Sequence, residues 1–222
     1  MRYLDLLTAL FATVLLVSNV ASTKLVVLGP FTFDGGTLLF PLAYIFGDVL
    51  TEVYGYRKSR RVIWIGFFAL LLATLTFQAV AHLPAPPDAE SQRFGEAFGL
   101  LLGLTPRIVL GSLLAYFLGE FATAYVLAKL KVRTEGRFFW LRALASTLVG
   151  QGLDTGVFLL VAFYGVFPKE VLLAVFLSNY AFKLGVEALM LPFTYAVVGF
   201  LKRAEGMDAY DRDTDFNPFR LT

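Results

Sequence analysis

Five carboxylic acids stand inside long apolar runs of this 222-residue chain, namely Asp48, Glu52, Glu120, Asp154 and Glu187, and only one cation, Lys183, lies at comparable depth. Their neighbours at four-residue spacing are polar too, and residues four apart share one face of a helix. Tyr44, Asp48 and Glu52 make one such seam, Ser112, Tyr116 and Glu120 with Thr123 a second. Thr147 and Gln151, with Asp154 and Thr155, make a third, and Asn179, Lys183 and Glu187 a fourth. Ser18, Asn19 and Ser22 add polar groups near the end of the first apolar run, with Lys24 just beyond. Carboxylates accept hydrogen bonds, amides donate and accept, and a lysine donates three. Turned toward a common space, these groups would hold a small solute that carries its own donors and acceptors.

The elements that must position them are membrane helices. Apolar residue types make up 58% of the chain and charged types 16%, against about 45–50% and 25% in soluble domains. Apolar stretches run over Leu4–Ala21, Thr37–Tyr54, Val62–Ala81, Ile108–Ala128, Ala143–Val166 and Leu177–Leu201; each is near the roughly twenty residues that one crossing needs. The reading is an all-α integral membrane protein: a six-helix transmembrane domain over 1–203 and a cytoplasmic tail over 204–222. The second span contains Pro41, Asp48 and Glu52 and follows Asp34, Gly35 and Gly36, so a re-entrant segment is the alternative there. The apolar stretch from Val171 to Leu201 exceeds one crossing, which places Val171–Phe176 along the interface or tilts the helix. The apolar start, Leu4 to Val17, is read as a span and not a signal peptide, because no small-residue cleavage site follows it.

Basic residues set the direction. Arg57, Lys58, Arg60 and Arg61 follow span two, Lys129, Lys131, Arg133, Arg137 and Arg142 follow span four, and Lys202 and Arg203 follow span six, whereas the other face carries only Lys24, Arg93, Arg107 and Lys169. The positive-inside rule puts both termini in the cytoplasm, in a plasma membrane. The longest loop, His82 to Thr105, is then external and reads as a partly ordered lid. Asp48 and Glu52 fall toward the cytoplasmic end and suit an inner gate or a proton site.

An ionisable side chain at the centre of a lipid-facing helix costs about 2.5–3.5 kcal/mol, so five acids must face inward. They could simply pair with Lys183 and glue the bundle, but five acids outnumber one lysine. The rest are protonated, approached by Arg107 or Arg142, or left to a ligand rich in donors. Among the aromatic residues, Tyr44 and Tyr116 stand one turn from an acid and belong with the cavity; Phe40, Phe117, Phe158, Tyr180 and Phe182 read as packing groups in a chain with 23 phenylalanines.

Other chemistries find little support. The chain has one histidine, His82, and no cysteine, so neither a zinc pair nor thiolate chemistry is available. No Gly-x-Ser-x-Gly elbow or Gly-rich phosphate loop occurs, and no cofactor or metal site is read. An intramembrane lipid enzyme using Asp48 and Glu52 around magnesium is the alternative from another class. A net charge of only +2 gives no reason to expect a nucleic-acid partner. A homo-oligomer is left open, since no clean Gly-x-x-x-Gly face dominates.

The residues also resemble a known family, the queuosine precursor transporters, grouped as vitamin uptake transporters, over essentially the whole chain. The likeness rests on Ser18-Asn19-Val20 with Lys24, on Phe40-Pro41-Leu42 through Tyr44 to Asp48, and on Thr51-Glu52-Val53-Tyr54-Gly55-Tyr56. It continues through Arg142, Ser146, Gln151 and Asp154, then Ser178-Asn179-Tyr180 with Lys183, and closes with the run from Tyr210 to Phe219. The resemblance implies import of purine-like 7-deazaguanine bases for transfer-RNA modification. It implies a fold similar to the substrate-binding subunits of energy-coupling-factor importers, working without their ATPase partner; an ATP-driven complex is the alternative. A guanine-like edge presents adjacent N–H donors to a carboxylate and a carbonyl to an amide or cation. The expected binding set is Asn19, Tyr44, Tyr116, Glu120, Gln151, Asp154, Asn179, Lys183 and Glu187, with most weight on Gln151, Asp154, Asn179 and Glu187 for their mid-bilayer depth.

Overall fold

A computed structural model describes residues 1–28, 31–103 and 106–220, apart from the side chains of Leu25, Leu28, Phe31–Asp34, Thr37, Phe40 and Tyr44. The chain folds as an all-α membrane bundle with one small hairpin. Helix α1 is Leu4–Ala21, α2 Phe40–Tyr54, α3 Tyr56–Ala81, α4 Ala89–Leu102, α5 Pro106–Arg133, α6 Phe139–Phe163 and α7 Lys169–Glu205. Five of them, α1, α3, α5, α6 and α7, are long and apolar enough to cross a membrane. Their outer faces carry bare hydrophobic side chains such as Leu72, Leu75, Leu110, Leu189 and Phe193. A surface of that kind suits a lipid solvent.

Helix α2 has 15 residues, fewer than a crossing needs by itself. It begins with Pro41 in its first turn, where a missing N–H costs nothing, and a 3₁₀ segment, Gly35–Leu39, precedes it. Gly35 and Gly36 press against the far end of α1, where a Cβ at 36 would sit 2.5 Å from the Ser18 carbonyl oxygen. At the other end, the Tyr54 hydroxyl donates to Glu205 at 2.9 Å, and that carboxylate also accepts from the backbone N–H of Tyr3 at 2.7 Å. Gly35 to Tyr54 therefore runs antiparallel along the length of α1. Gly55 alone joins α2 to α3, with φ of 82°; a side chain at that backbone angle is strained.

The hairpin was not foreseen. Strands β1 (Leu25–Leu28) and β2 (Phe31–Asp34) pair antiparallel, Leu25 opposite Asp34 and Leu28 opposite Phe31. Alternating Phe and Thr supply β-branched and aromatic types that favour a strand. The long external loop holds α4, capped by Asp88, whose carboxylate accepts from the Ser91 N–H at 2.8 Å. The last apolar stretch, whose start at Val171–Phe176 was expected along the interface or tilted, lies within a single helix of 37 residues. That is about 55 Å at 1.5 Å per residue, well beyond the hydrocarbon layer.

Small residues bring α5 and α6 into backbone contact. Gly111, Ala115 and Gly119 recur every four residues on α5, and a Cβ at Gly119 would lie 2.8 Å from the Asp154 Cβ. Close approach of this kind replaces the hydrophobic drive that lipid cannot supply. It also sets Glu120 and Asp154 side by side across the two helices.

The ends of these helices where the basic loops lie are tightly packed, with Val49, Leu50, Val53, Leu127, Ala143 and Leu201 buried. Glu52 sits at the centre of this end, gripped by Arg142 through Nη1 at 2.5 Å and Nη2 at 3.2 Å and by Lys202 Nζ at 2.7 Å. Lys131 donates to the Glu52 carbonyl oxygen at 2.5 Å and to Asp208. One acid thus ties α2, α5, α6 and α7 together.

The tail after α7 folds back over this end. The Tyr56 N–H donates to Asp211 at 2.9 Å, Arg60 donates to the carbonyl oxygens of Asp215 and Asn217, and Trp64 Nε1 reaches the Pro218 carbonyl at 2.8 Å. Partial burial pushes the Asp208 carboxyl up, but hydrogen bonds from Lys131 and Lys202 outweigh it and hold the group below the usual carboxylate range. A carboxylate so depressed stabilises the docked tail above its unfolded value of about 3.9, and the contribution is lost as pH falls through the lower native value. Hydrogen exchange over 206–220 is expected to stay slow through mildly acidic pH and to accelerate below about pH 4. Asp208→Asn should accelerate it already at neutral pH.

Candidate functional site

A cavity of about 470 Å³ opens in the half of the bundle away from the basic loops, within the range of small-molecule sites. Its walls are the second half of α1, the first halves of α5 and α7 and the second half of α6, with Ala43 of α2 and Leu70 of α3. Seven of the expected binding residues line it: Asn19, Tyr116, Glu120, Gln151, Asp154, Asn179 and Lys183. Phe11, Leu15, Phe158 and Leu159 supply apolar wall between them.

The polar groups divide by whether the protein already uses them. Lys183 Nζ bonds Asp154 Oδ2 at 2.7 Å and Thr155 Oγ1 at 3.3 Å, which bridges α7 to α6. Tyr116 spends its hydroxyl on the Ile63 carbonyl at 3.0 Å, lying across Gly66 of α3. Asn19 donates to the Leu15 carbonyl of its own helix at 2.9 Å. Gln151, Asn179 and Glu120 line the cavity without a hydrogen bond to the described residues. Glu120 faces Gly47 of α2, whose missing side chain leaves it room; a Cβ there would be 3.8 Å from Oε2.

The remaining expected residues lie elsewhere. Glu187 is off the cavity wall, buried against Asp48 of α2. Glu52 belongs to the ionic cluster at the basic end. The side chains of Tyr44 and Phe40 fall outside the described residues. Tyr180 stacks on Phe176 and donates to the Leu148 carbonyl, away from the cavity. Of the two arginines considered as partners for the acids, Arg142 meets Glu52, whereas Arg107 donates to the carbonyls of Val161 and Tyr164. His82 is exposed and donates through Nδ1 to the Gln78 carbonyl at the end of α3. Among the described residues, no group of three or more His, Cys, Asp or Glu could hold a metal ion.

The family described as "Putative vitamin uptake transporter" matches residues 34–197. The chain belongs to this family. Of the cavity walls, those from α2, α3, α5, α6 and α7 fall inside the matched region, while α1 and the tail lie outside it. Among curated proteins, the chain is 36% identical over 188 residues to "Probable queuosine precursor transporter" of Bacillus subtilis, covering 84% of this chain and 80% of that one. It is 27% identical over 168 residues to "Queuosine precursor transporter" of Escherichia coli, covering 73% and 71% of the two chains. A similarly named protein of Haemophilus influenzae is 26% identical over 166 residues, covering 73% and 67%. No solved structure matches the chain.

Proposed function

We propose that this chain carries a queuosine precursor, a 7-deazaguanine base such as 7-cyano-7-deazaguanine, 7-aminomethyl-7-deazaguanine or queuine, across the bacterial inner membrane for transfer-RNA modification. The observation that carries the reading is a cavity whose Glu120, Gln151 and Asn179 have no hydrogen bond to the described residues, set among apolar walls on separate helices. Glu120 and Gln151 are half-buried and Asn179 is exposed, so their polar atoms are open to a solute that enters the cavity, and a base edge of matching pattern can take them up. Glu120 takes the adjacent N–H donors of the guanine-like edge, and Gln151 or Asn179 serves its carbonyl. Asp154 and Lys183, already paired, set the shape of the site. The names of the relatives agree with this cargo.

The chain crosses six times in this reading. Gly35 to Tyr54 measures about 30 Å if its 3₁₀ and α segments continue one another, which matches the hydrocarbon thickness. With the basic loops and both termini in the cytoplasm, the cavity faces outward, and the Glu52 cluster with the docked tail closes the inner side. Transport proceeds without an ATPase module.

Calorimetric titration of detergent-purified protein with 7-cyano-7-deazaguanine tests the cargo. Saturable binding of one base per chain, not displaced by adenine, is the expected result. No binding of any of the three bases would remove the reading.

A further inference from the structure

Asp48 and Glu187 are the two acids that neither the cavity nor the ionic cluster explains. They are 2% and 1% exposed, and they meet across α2 and α7 near the middle of the bundle. Asp48 Oδ2 and both carboxyl oxygens of Glu187 accept no hydrogen bond among the described residues. The charged groups facing the pair are acidic as well, Glu52 one turn further along α2 and Glu120 from α5. Cations on the surrounding helices are engaged with other acids. Lys183, one turn before Glu187, bonds Asp154, while Arg142 of α6, Lys131 of α5 and Lys202 of α7 converge on Glu52 and Asp208.

Two ionised carboxylates about 4 Å apart repel by roughly 4 kcal/mol even at an effective dielectric constant of 20. One proton between them removes that repulsion and turns the contact into an O–H···O hydrogen bond. The position of the pair matters equally. Glu120 of the cavity reaches Gly47, the residue before Asp48, and Glu52 of the basic end lies four residues after it. Carboxyls therefore run from the cavity, through the pair, to the cluster that closes the other side.

We propose that the Asp48–Glu187 pair is the proton-binding site that couples solute movement to the proton gradient, an inference that rests on the chain being a carrier. A proton arriving from the cavity side forms an O–H bond on one of the two carboxyls and travels with the solute. When the basic end opens, that bond breaks and the proton passes to water on the inner side. No other reactant takes part.

The test is uptake of 7-cyano-7-deazaguanine, an uncharged base, into liposomes holding the purified protein. With an inside-alkaline gradient the base should accumulate, up to about tenfold per pH unit at one proton per base. A sodium gradient should drive nothing. Asp48→Asn and Glu187→Gln should bring accumulation to the level without a gradient, yet leave exchange of labelled for unlabelled base running, since exchange needs no net proton movement. Equal wild-type uptake with and without the pH gradient, or uptake driven by sodium, overturns the proposal while leaving the carrier in place; a wild-type protein that neither binds nor exchanges the base overturns the carrier itself. A second measurement needs no variant: a pH dye trapped inside the liposomes should report acidification when the base is added outside, and a silent dye during active uptake counts against the pair.

Discussion

Replacing Arg142 with alanine is expected to destabilise the protein by about 3–5 kcal/mol, the usual loss when one member of a buried ion pair is removed. Arg142 is fully buried and Glu52 is 1% exposed, so little solvent screening weakens the bond between them. The guanidinium also donates to the carbonyls of Gly136 and Arg137 at 3.1 Å each, and these acceptors lose their partner too. Lys202 and Lys131 remain near Glu52, which places the loss at the lower end of the range. Removing both charges with Glu52→Gln and Arg142→Met leaves Lys131 and Lys202 with only Asp208 as their acid, so the double variant should cost at least as much as Arg142→Ala alone. Unfolding in a denaturing detergent, followed by tryptophan fluorescence, measures both variants. If Arg142→Ala unfolds like the parent, the cluster is not what holds this end closed.

That cluster shows where reading by helix face reaches its limit. Spacing places Asp48 and Glu52 on one seam of α2, and both are indeed buried. A seam does not say which neighbour each of its residues meets. Asp48 looks to Glu187 of α7, while Glu52, one turn away, looks to Arg142 of α6. Lys183 and Glu187 share a face of α7 in the same way, yet Lys183 turns to Asp154 and Glu187 to Asp48. The pairing depends on crossing geometry between helices, which one-dimensional spacing does not carry.

Charge counting erred for a related reason. It weighed five acids against Lys183 and allowed Arg142 to approach them, as it does at Glu52, but Lys131 and Lys202 lie at helix ends and were counted as loop charges. Long basic side chains reach back along an apolar stem, and three of them gather around Glu52 and Asp208. The long apolar helices were legible because about twenty apolar residues can do little else in a chain. The hairpin and α4 were not, since short elements leave a weak periodic signal. Docking of the tail was also hidden: four of its hydrogen bonds run to backbone carbonyls of residues 215–218, and backbone acceptors leave no trace in residue type.

Glu120→Gln is expected to weaken binding of 7-cyano-7-deazaguanine by about ten- to a hundred-fold, the equivalent of about 1.5–3 kcal/mol for hydrogen bonds to a charged group. The exchange preserves the shape of the side chain and its place against Gly47, so packing is not what changes. One acceptor oxygen becomes an NH₂ donor, and that donor then points at the N–H groups of the base edge. Repulsion adds to the lost charge-assisted bond, which is why glutamine should do worse than alanine here. Gln151→Leu removes only a neutral amide and should cost about 1 kcal/mol, less than a tenfold change. The order of the three titrations, Glu120→Gln weakest, then Glu120→Ala, then Gln151→Leu, separates recognition of a donor pair from mere occupancy of an apolar hole. Should Glu120→Gln bind as tightly as the parent while Asp154→Asn does not, the carboxylate that reads the base is the one already held by Lys183, and that ion pair must then open to admit the solute.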